Sequence, residues 1–362
     1  MMRAEPTNEF SEELTALQGD LAASFTHVPL EEATQILHEQ YGIAAVLTRF
    51  ATEKDDTFRC DSAGGKSYVL KIANPQEDPV ELSLQIEVMR HIARKAPRLP
   101  IPSMFQALDG EYLNRIETAS GESRQLRLMS FLPGTPLDKT SVDSQGREHI
   151  GELLAWLRLA TADFSHPGES RKVCWDVQNL GVLAPLISCV VDPTRRQLLE
   201  RALERFSRFE GLIEGCRKQV LHNDFNTSNL VIDTRSPQFV SGVIDFGDTV
   251  KTAIAIDVST AMMNQLSAVG PDKDADIFAP AKDVLRGYLR VADLTLEELS
   301  LIPHLAMARL ITRALMTTWR SQLFPQNSAY ILRNAAPGWA QLDWMLNRSP
   351  SHMSELLTSF AD

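Results

Sequence analysis

Cysteine is scarce in this sequence. Only four occur among 362 residues, at positions 60, 174, 189 and 216, and no two have the spacing of a CxxC motif. The sequence therefore predicts neither a disulfide framework nor a zinc site, as is typical of a reducing cytoplasm. It also lacks an apolar run of about 18 residues, the length a membrane span needs, and the acidic start has no apolar signal segment. We expect a cytoplasmic protein that does not span a membrane.

An excess of basic residues is also missing. The 36 lysines and arginines face 47 aspartates and glutamates, which gives a formal net charge of −11. This balance argues against nucleic acid or an anionic membrane as partner, and it mildly favours a cationic small substrate. Hydrophobic residues make up 44% of the chain, enough for a sizeable core. The length exceeds that of one ordinary domain and predicts two lobes.

The pattern of strands and helices changes at Pro133-Gly134. We interpret residues 1–28 as a polar N-terminal extension and residues 29–132 as a strand-rich N-lobe. Its signals are a helix ended by Gly42, alternating strands such as "SYVLKI", and the i, i+4, i+7 periodicity of a helix between Pro79 and Ala96. Residues 133–362 have mainly helical periodicity and form the predicted C-lobe.

One stretch of the C-lobe concentrates polar residues between two short apolar runs, "QVLHNDFNTSNLVID" at 219–233. Asp224 and Asn229 lie five residues apart on its loop, and Asp245 follows in "VIDFGD" at the end of a later strand. Phosphoryl transfer to an alcohol needs a carboxylate near the hydroxyl and hard oxygen ligands for magnesium. A hairpin between "LVID" and "VIDF" would bring Asn229 and Asp245 together, so these residues predict a kinase site.

These segments resemble the catalytic loop and metal-binding segment of the aminoglycoside phosphotransferase and choline kinase family. The resemblance covers about residues 40–345 and implies an α+β, bilobal protein-kinase-like fold, with a small antiparallel-sheet N-lobe and a larger, mainly helical C-lobe. It implies a donor of ATP or GTP with Mg²⁺. The implied roles are Asp224 as catalytic base, His222 as a brace of its loop, Asn229 and Asp245 as magnesium ligands, Lys71 as phosphate contact, Ser130 and Leu132 as nucleobase hinge, and Asp257 as a structural residue.

Two features depart from the family pattern. Many members carry a glutamate that pairs with the strand lysine, whereas this chain has Gln85 there, with Glu81 on the same helix face and Glu87 on another. Gln85 would hydrogen-bond Lys71 less strongly than a charged partner, and Glu81 is the alternative. The turn that covers the phosphates, placed at "TEKDDTF", lacks the glycines of a protein-kinase loop.

The acceptor is predicted less directly. The early segments and "ARLITRALMTTWRSQLFPQ" resemble hydroxylysine kinases most, which implies a small, hydroxylated and amine-bearing substrate. Arg309 and Arg313, at i and i+4 of a helix, are candidates for a substrate carboxylate, with salt bridging on a half-buried helix face as the simpler interpretation. Asp248 is a candidate for a substrate ammonium group or a turn cap. Aminoglycoside, homoserine, choline and sugar acceptors remain open.

Two other functional classes fit part of the pattern. His222, Asp224 and a distant His304 have the residue types of a facial-triad iron oxygenase, but His304 follows Pro303 in a helical segment rather than on a strand. An inactive nucleotide-binding module is the third hypothesis, because Gln85 weakens the lysine pairing. Asn229, Asp245 and Lys71 together favour the kinase.

Overall fold

The computed structural model describes residues 13–14, 25–52, 54–235, 239–332 and 335–360. It divides into two lobes, each with its own group of buried apolar residues. This α+β division confirms the two-lobed architecture expected from the sequence.

The N-lobe begins with helix α1 (Leu30–Tyr41), which buries Ile36 and Leu37 against the sheet. Gly42 ends the helix as predicted: its φ of 65° lies in the left-handed region, and its N–H donates to the carbonyl of His38. Glycine adopts this conformation without a Cβ penalty.

A sheet of antiparallel strands forms the body of the N-lobe, in the order β1-β2-β3-β6-β4, with β5 paired to β6. Leu70 and Leu128 face each other on β3 and β6 and are fully buried, as the predicted alternation requires. The strands are β1 (Ala45–Arg49), β2 (Asp56–Ser62), β3 (Ser67–Ile72), β4 (Met104–Phe105), β5 (Asn114–Glu117) and β6 (Ser123–Ser130).

The predicted helix of the N-lobe is α2 (Pro79–Lys95), and the Asp78 side chain caps it by accepting the N–H of Val80. Its buried residues Leu84 and Val88 join the apolar core of the C-lobe rather than that of the N-lobe. Helix α2 therefore connects the lobes through its packing.

The described part of the C-lobe is mainly helical, with one three-stranded and one two-stranded sheet. Its strands are β7 (Thr135–Pro136), β8 (Lys218–Leu221), β9 (Leu230–Ile232), β10 (Val240–Val243) and β11 (Val250–Ala253). Its helices are α3 (Ser144–Ala160), α4 (Leu180–Leu183), α5 (Pro193–Ser207), α6 (Glu210–Glu214), α7 (Ile254–Met263), α8 (Ala279–Leu289), α9 (Leu296–Leu323), α10 (Ser328–Ile331), α11 (Ala335–Leu346) and α12 (Pro350–Glu355).

Helices α3 and α8 approach each other closely through two glycines. A Cβ at Gly151 would lie 1.9 Å from the carbonyl oxygen of Val284, and one at Gly287 would lie 1.9 Å from that of Glu148. Both clashes are with backbone, so a side chain at either position would have to push the helices apart.

Helix α9 forms the centre of the C-lobe. Thr295 and Glu298 form a capping box at its start. The helix is long and apolar enough to cross a membrane by length and composition, which the sequence analysis did not anticipate, but 83% of its most apolar window is buried inside the protein. Packing in the core accounts for its composition.

The N-terminal extension lies mostly outside the described residues, and its described parts pack against both lobes. Val28 is 2% exposed and donates its N–H to Asp56 at the start of β2. Leu14 is fully buried in the C-lobe core, and Glu13 pairs with Lys172. These contacts differ from the expected appended polar segment.

Candidate active site

The polar stretch noted in the sequence forms the loop between β8 and β9. Asn223 is fully buried in this loop with a φ of 61°, a left-handed conformation that asparagine tolerates better than most residues. Its N–H donates to Oδ1 of Asp257 on α7 at 2.8 Å. Burial raises the pKa of Asp257 to about 6. Asp257 thus holds the backbone of the loop at Asn223. The family resemblance implies a structural role of this kind.

His222 links this loop to the segment that carries Asp245. Its Nε2 lies 3.1 Å from the carbonyl oxygen of Ile244, and its Nδ1 lies 3.3 Å from the backbone N of Asp224. The first contact is a backbone hydrogen bond of the kind expected for a brace. With Nε2 protonated, the imidazole donates to one segment and accepts from the other.

The Asp224 carboxylate accepts hydrogen bonds from three side chains. Oδ2 accepts from the amide nitrogens of Asn226 at 2.9 Å and Asn229 at 2.8 Å, and Oδ1 accepts from Nη2 of Arg309 at 2.6 Å. Because every one of these groups donates, the arrangement suits an ionised carboxylate. The side chain keeps 21% of its surface exposed, so a hydroxyl can reach it.

Asn229 and Asp245 come together through the β9–β10 hairpin. Leu230 pairs with Val243 across the two strands, and the N–H of Ile244 donates to the carbonyl of Asn229 at 2.9 Å. Asp245 follows with a φ of 62°. The amide nitrogen of Asn229 donates to Asp224, so the amide oxygen is left to bind a cation. The connecting residues 236–238, within the predicted hairpin turn, lie outside the described residues.

Lys71 approaches this pair from β3. Its Nζ lies 3.1 Å from Oδ2 of Asp55, a residue just before β2. Burial lowers the pKa of Lys71, but the charges of Asp55 and Asp245 outweigh it and leave the pKa above its usual value. In the same way, burial raises the pKa of Asp245, and the Lys71 charge brings it below the ordinary value. The lysine therefore stays protonated and Asp245 stays ionised.

The partner of Lys71 is none of the three side chains considered from the sequence. Gln85 instead accepts from Nη2 of Arg127 at 3.0 Å. Glu81 pairs with Arg171, and Glu87 pairs with Arg90 on the solvent side of α2. Asp55 reaches Lys71 because β2 pairs with β3, and Thr57, two residues after Asp55, lies opposite Lys71.

Four predicted residues meet in one cavity of about 460 Å³ between the lobes: Lys71, Asp224, Asn229 and Asp245. The other predicted residues that line it are Gln85, Asp248, Arg309 and Arg313. Ser130 and Leu132 are not part of its lining. The N–H of Ser130 already donates to the carbonyl of Ser103, so this N–H is not free for a nucleobase. Their hinge role stays a prediction.

Helix α9 contributes two cations to the cavity lining, Arg309 and Arg313. Arg309 donates to Asp224 and to the carbonyl of Trp175, while Arg313 donates Nη2 to Oδ1 of Asn264 at 2.9 Å. Burial, then the charge of Arg309, lowers the pKa of Arg313 to about 10. Salt bridging, the simpler interpretation from the sequence, thus holds for Arg309; Arg313 has no carboxylate within 4 Å in the described residues.

Asp248 is 8% exposed and faces this cavity near Lys54, at 3.9 Å. Burial raises its pKa, and Lys54 opposes that shift. Lys54 belongs to the glycine-poor turn "TEKDDTF", so this turn reaches across to the C-lobe with a charged side chain; Glu53 of the turn lies outside the described residues.

The residues of the rival iron site do not converge. His304 is fully buried within α9, stacks on Phe209 with 3.7 Å between ring centroids, and lies 2.9 Å from the hydroxyl of Ser354. It is not part of the cavity lining. Across the described ranges, no cluster of three or more His, Cys, Asp or Glu side chains is arranged to hold a metal.

The sequence analysis gave no individual role to several residues of the cavity, among them Arg127 and Asn226, and it placed Lys54 and Asp55 only as part of the turn "TEKDDTF". Asn226 was visible as the middle asparagine of the loop, and its Oδ1 accepts from the N–H groups of Ser228 and Asn229. Arg127 was visible only as one of two arginines in the strand "SRQLRLMS", and this pattern does not show what the side chain contacts.

Comparison with known proteins agrees with this geometry. Residues 46–294 match the model of the phosphotransferase enzyme family. The chain is 24% identical over 326 residues to hydroxylysine kinase of Mus musculus, covering 84% of this chain and 85% of that protein. It is 26% identical over 290 residues to homoserine kinase of Mesorhizobium japonicum, covering 80% and 82%.

Among solved structures, an amicoumacin kinase in complex with AMP-PNP, Ca²⁺ and Ami superposes with a TM-score of 0.68 at 15% identity, covering 92% of this chain and 97% of that one. At this identity the likeness shows the fold alone, and it confirms the predicted protein-kinase-like arrangement. The chain therefore belongs to the phosphotransferase enzyme family and is a small-molecule kinase that transfers a phosphoryl group to an alcohol.

Proposed function

We propose that this kinase phosphorylates the hydroxyl of a small amino acid, with 5-hydroxylysine as the first choice, using Mg²⁺ with ATP or GTP as donor. The observation that carries the proposal is the set of charges in the cavity: Asp224 lines it together with a cation, Arg313, and a second carboxylate, Asp248. An amino acid presents the two complementary charges. The hydroxylated amino acids in the names of the hydroxylysine and homoserine kinases support the same class.

In this proposal Asp224 orients the acceptor hydroxyl and takes up its proton as the oxygen attacks the γ-phosphorus. The bond from the γ-phosphorus to the β–γ bridging oxygen breaks, and the nucleoside diphosphate leaves. The hydrogen bonds from Asn226, Asn229 and Arg309 fix the direction of the carboxylate before the substrate arrives. Such fixed geometry lowers the barrier because the reacting groups need little rearrangement.

On the donor side, Lys71 binds phosphate oxygens through its protonated Nζ. The residues present also fit a magnesium ion, since Asn229 and Asp245 offer an amide oxygen and an ionised carboxylate, both hard ligands. Two protein ligands suffice for Mg²⁺ that is shared with a nucleotide, since phosphates and water complete its coordination. When bound, the ion would neutralise charge on the phosphates.

On the acceptor side, Arg313 suits the substrate carboxylate better than Arg309 does. Arg309 is already engaged by Asp224, whereas the described partner of Arg313 is the neutral amide of Asn264. A carboxylate that binds a half-buried guanidinium stabilises it more than a neutral amide does, because the carboxylate carries the opposite charge and accepts two parallel N–H bonds. Asp248 would receive the ammonium group and would then be shared with Lys54.

The test is a phosphotransfer screen with both nucleotides. The acceptors are 5-hydroxylysine, its decarboxylated analogue, homoserine, choline and an aminoglycoside. We expect the highest kcat/KM for a carboxylated amino alcohol, and we expect Arg313→Met to raise KM for hydroxylysine about 10-fold or more while barely changing KM for the decarboxylated analogue.

Equal use of hydroxylysine and its decarboxylated analogue by the unmodified enzyme would refute the carboxylate assignment. Nucleotide binding without transfer to any acceptor would favour the inactive module. We further propose a cytoplasmic location, which is supported by the thiol form of all four cysteines.

A further inference from the structure

Arg127 is a buried cation on the strand next to Lys71. The two residues pair across β3 and β6, so their side chains leave the same face of the sheet, and both line the cavity. Only 2% of Arg127 is exposed. A buried guanidinium normally has acceptors for most of its five N–H groups, because an unbalanced charge is costly away from water.

A second buried arginine on the same strand shows what full pairing looks like. Arg124, three residues earlier and on the opposite face, is 1% exposed; it donates to the Asp56 carboxylate and to the carbonyls of Ile72 and Ala73. In contrast, Nε and Nη1 of Arg127 have no hydrogen-bond acceptor among the described residues. The positive charge of Arg127 is thus only partly balanced by the protein.

The partners that Arg127 does have connect helix α2 to Lys71. Nη2 of Arg127 donates to Gln85 at 3.0 Å and lies 4.0 Å from Oδ2 of Asp55. The same Oδ2 lies 3.1 Å from Nζ of Lys71. One carboxylate is therefore shared by two cations, and the residue contributed by the helix is neutral.

This group carries a net positive charge where a lysine–glutamate pair carries none. Glu77 also borders the cavity and interacts with Arg127, but it forms no ion pair within 4 Å in the described residues, and burial raises its pKa and so disfavours its charged form. Since Asp55 is divided between Arg127 and Lys71, it does not cancel the charge of Lys71. An anion entering the cavity meets an ammonium group that is held in place and still positive.

We propose that Arg127 and Asp55 are positioning residues for the phosphoryl donor: through Gln85 they take over the role of the helix glutamate and keep a net positive charge at Lys71 for a nucleoside di- or triphosphate. The inference rests on the nucleotide part of the proposed function and not on the choice of acceptor.

The test measures nucleotide binding to the full-length protein by calorimetry, with ATP, GTP, AMP and GMP as probes. Arg127→Gln removes the second cation, so Asp55 neutralises Lys71. We expect triphosphate binding to weaken about 10-fold and monophosphate binding to change less than about 2-fold. Arg127→Lys should recover part of the loss. Arg59→Gln removes one charge from β2 outside the cavity lining and is the matched control.

Gln85→Glu tests the same idea without removing a packed side chain. A carboxylate at this position gives Arg127 a charged partner, so the protein without nucleotide should be at least as thermostable as the unmodified protein, while triphosphate affinity falls. If Arg127 only stabilised the fold, Gln85→Glu would keep its thermal stability and its triphosphate affinity would not fall.

The proposal is overturned if Arg127→Gln and Gln85→Glu bind ATP and GTP as tightly as the unmodified protein and only their thermal stability changes. Failure of the unmodified protein to bind either nucleotide would be a different result, because it removes the donor assignment as well.

Discussion

Asp257 provides a pH-dependent test of how the catalytic loop is supported. Its carboxylate is 3% exposed and accepts the N–H of Asn223, the residue before the proposed base. Asp257→Asn keeps an oxygen that can accept this hydrogen bond and removes the buried negative charge. The substitution therefore measures the free-energy cost of the buried charge while the hydrogen bond to Asn223 is kept.

The sign follows from the raised pKa. Asp257 titrates near 6 in the folded protein and near 3.8 when exposed, so between these values the folded chain binds more protons than the unfolded chain and stability falls as pH rises. The full difference of about 2 pKa units corresponds to about 3 kcal/mol. The penalty is about 1 kcal/mol at pH 4.5 and nearly complete at pH 7.5. Asp257→Asn lacks it.

We therefore expect Asp257→Asn to gain about 2 kcal/mol in unfolding free energy relative to the unmodified protein between pH 4.5 and 7.5. Urea unfolding followed by tryptophan fluorescence measures this, because all five tryptophans lie in the C-lobe. Stability curves that stay parallel across this range would refute the reasoning. Asp257→Ala is the comparison variant: it also removes the charge but leaves the buried N–H of Asn223 without its acceptor, so relative to Asp257→Asn it should lower both stability, by about 1–3 kcal/mol, and kcat.

Three further substitutions probe the base, the metal ligand and the packing. Asp224→Ala should lower kcat by about 10²–10⁴-fold while nucleotide affinity, measured by calorimetry, changes little; substantial remaining kcat would contradict the role of the base. Asp245→Ala should weaken binding of the magnesium nucleotide by at least about 10-fold, and unchanged affinity would count against that ligand. Gly287→Ala should cost about 2 kcal/mol or more in unfolding free energy, because the added Cβ meets the backbone of Glu148. Gly270→Ala, where a Cβ meets nothing within 4 Å, is its control.

Much of the fold could be predicted because its signals are local. The alternation in Ser67–Ile72 and the periodicity of Pro79–Lys95 each describe one element and one buried face. Gly42 and the left-handed turn after α1 are equally local. The part of the site that lies on a single loop, from His222 to Asn229, was visible for the same reason: the spacing within the loop already fixes which side chains are neighbours.

The rest of the site depends on pairs that are distant in sequence. Arg309 and Asp224 are separated by 85 residues, and Arg127 and Gln85 by 42. Nothing in the local pattern says that an arginine of a strand will bond the glutamine of a helix. The sequence showed that Gln85 stands where many family members have a glutamate, but it did not show which residue pairs with Lys71 instead. That residue is Asp55, which lies before β2 and not on the helix.

The charge of the cavity shows why the overall charge was a weak guide to the ligand. The chain carries −11, which favoured a cationic substrate, yet the cavity is lined by seven lysines and arginines and six aspartates and glutamates. The acidic excess therefore lies elsewhere on the protein. In the proposed function, Lys71 and Arg127 face the phosphoryl donor and Arg313 faces the acceptor. In the proposal such a site selects its acceptor by the positions of its charges: Arg313 attracts a substrate carboxylate, and Asp248 attracts an ammonium group. Discrimination between hydroxylysine and its decarboxylated analogue should accordingly narrow as salt rises, since screening weakens the attraction between Arg313 and the substrate carboxylate.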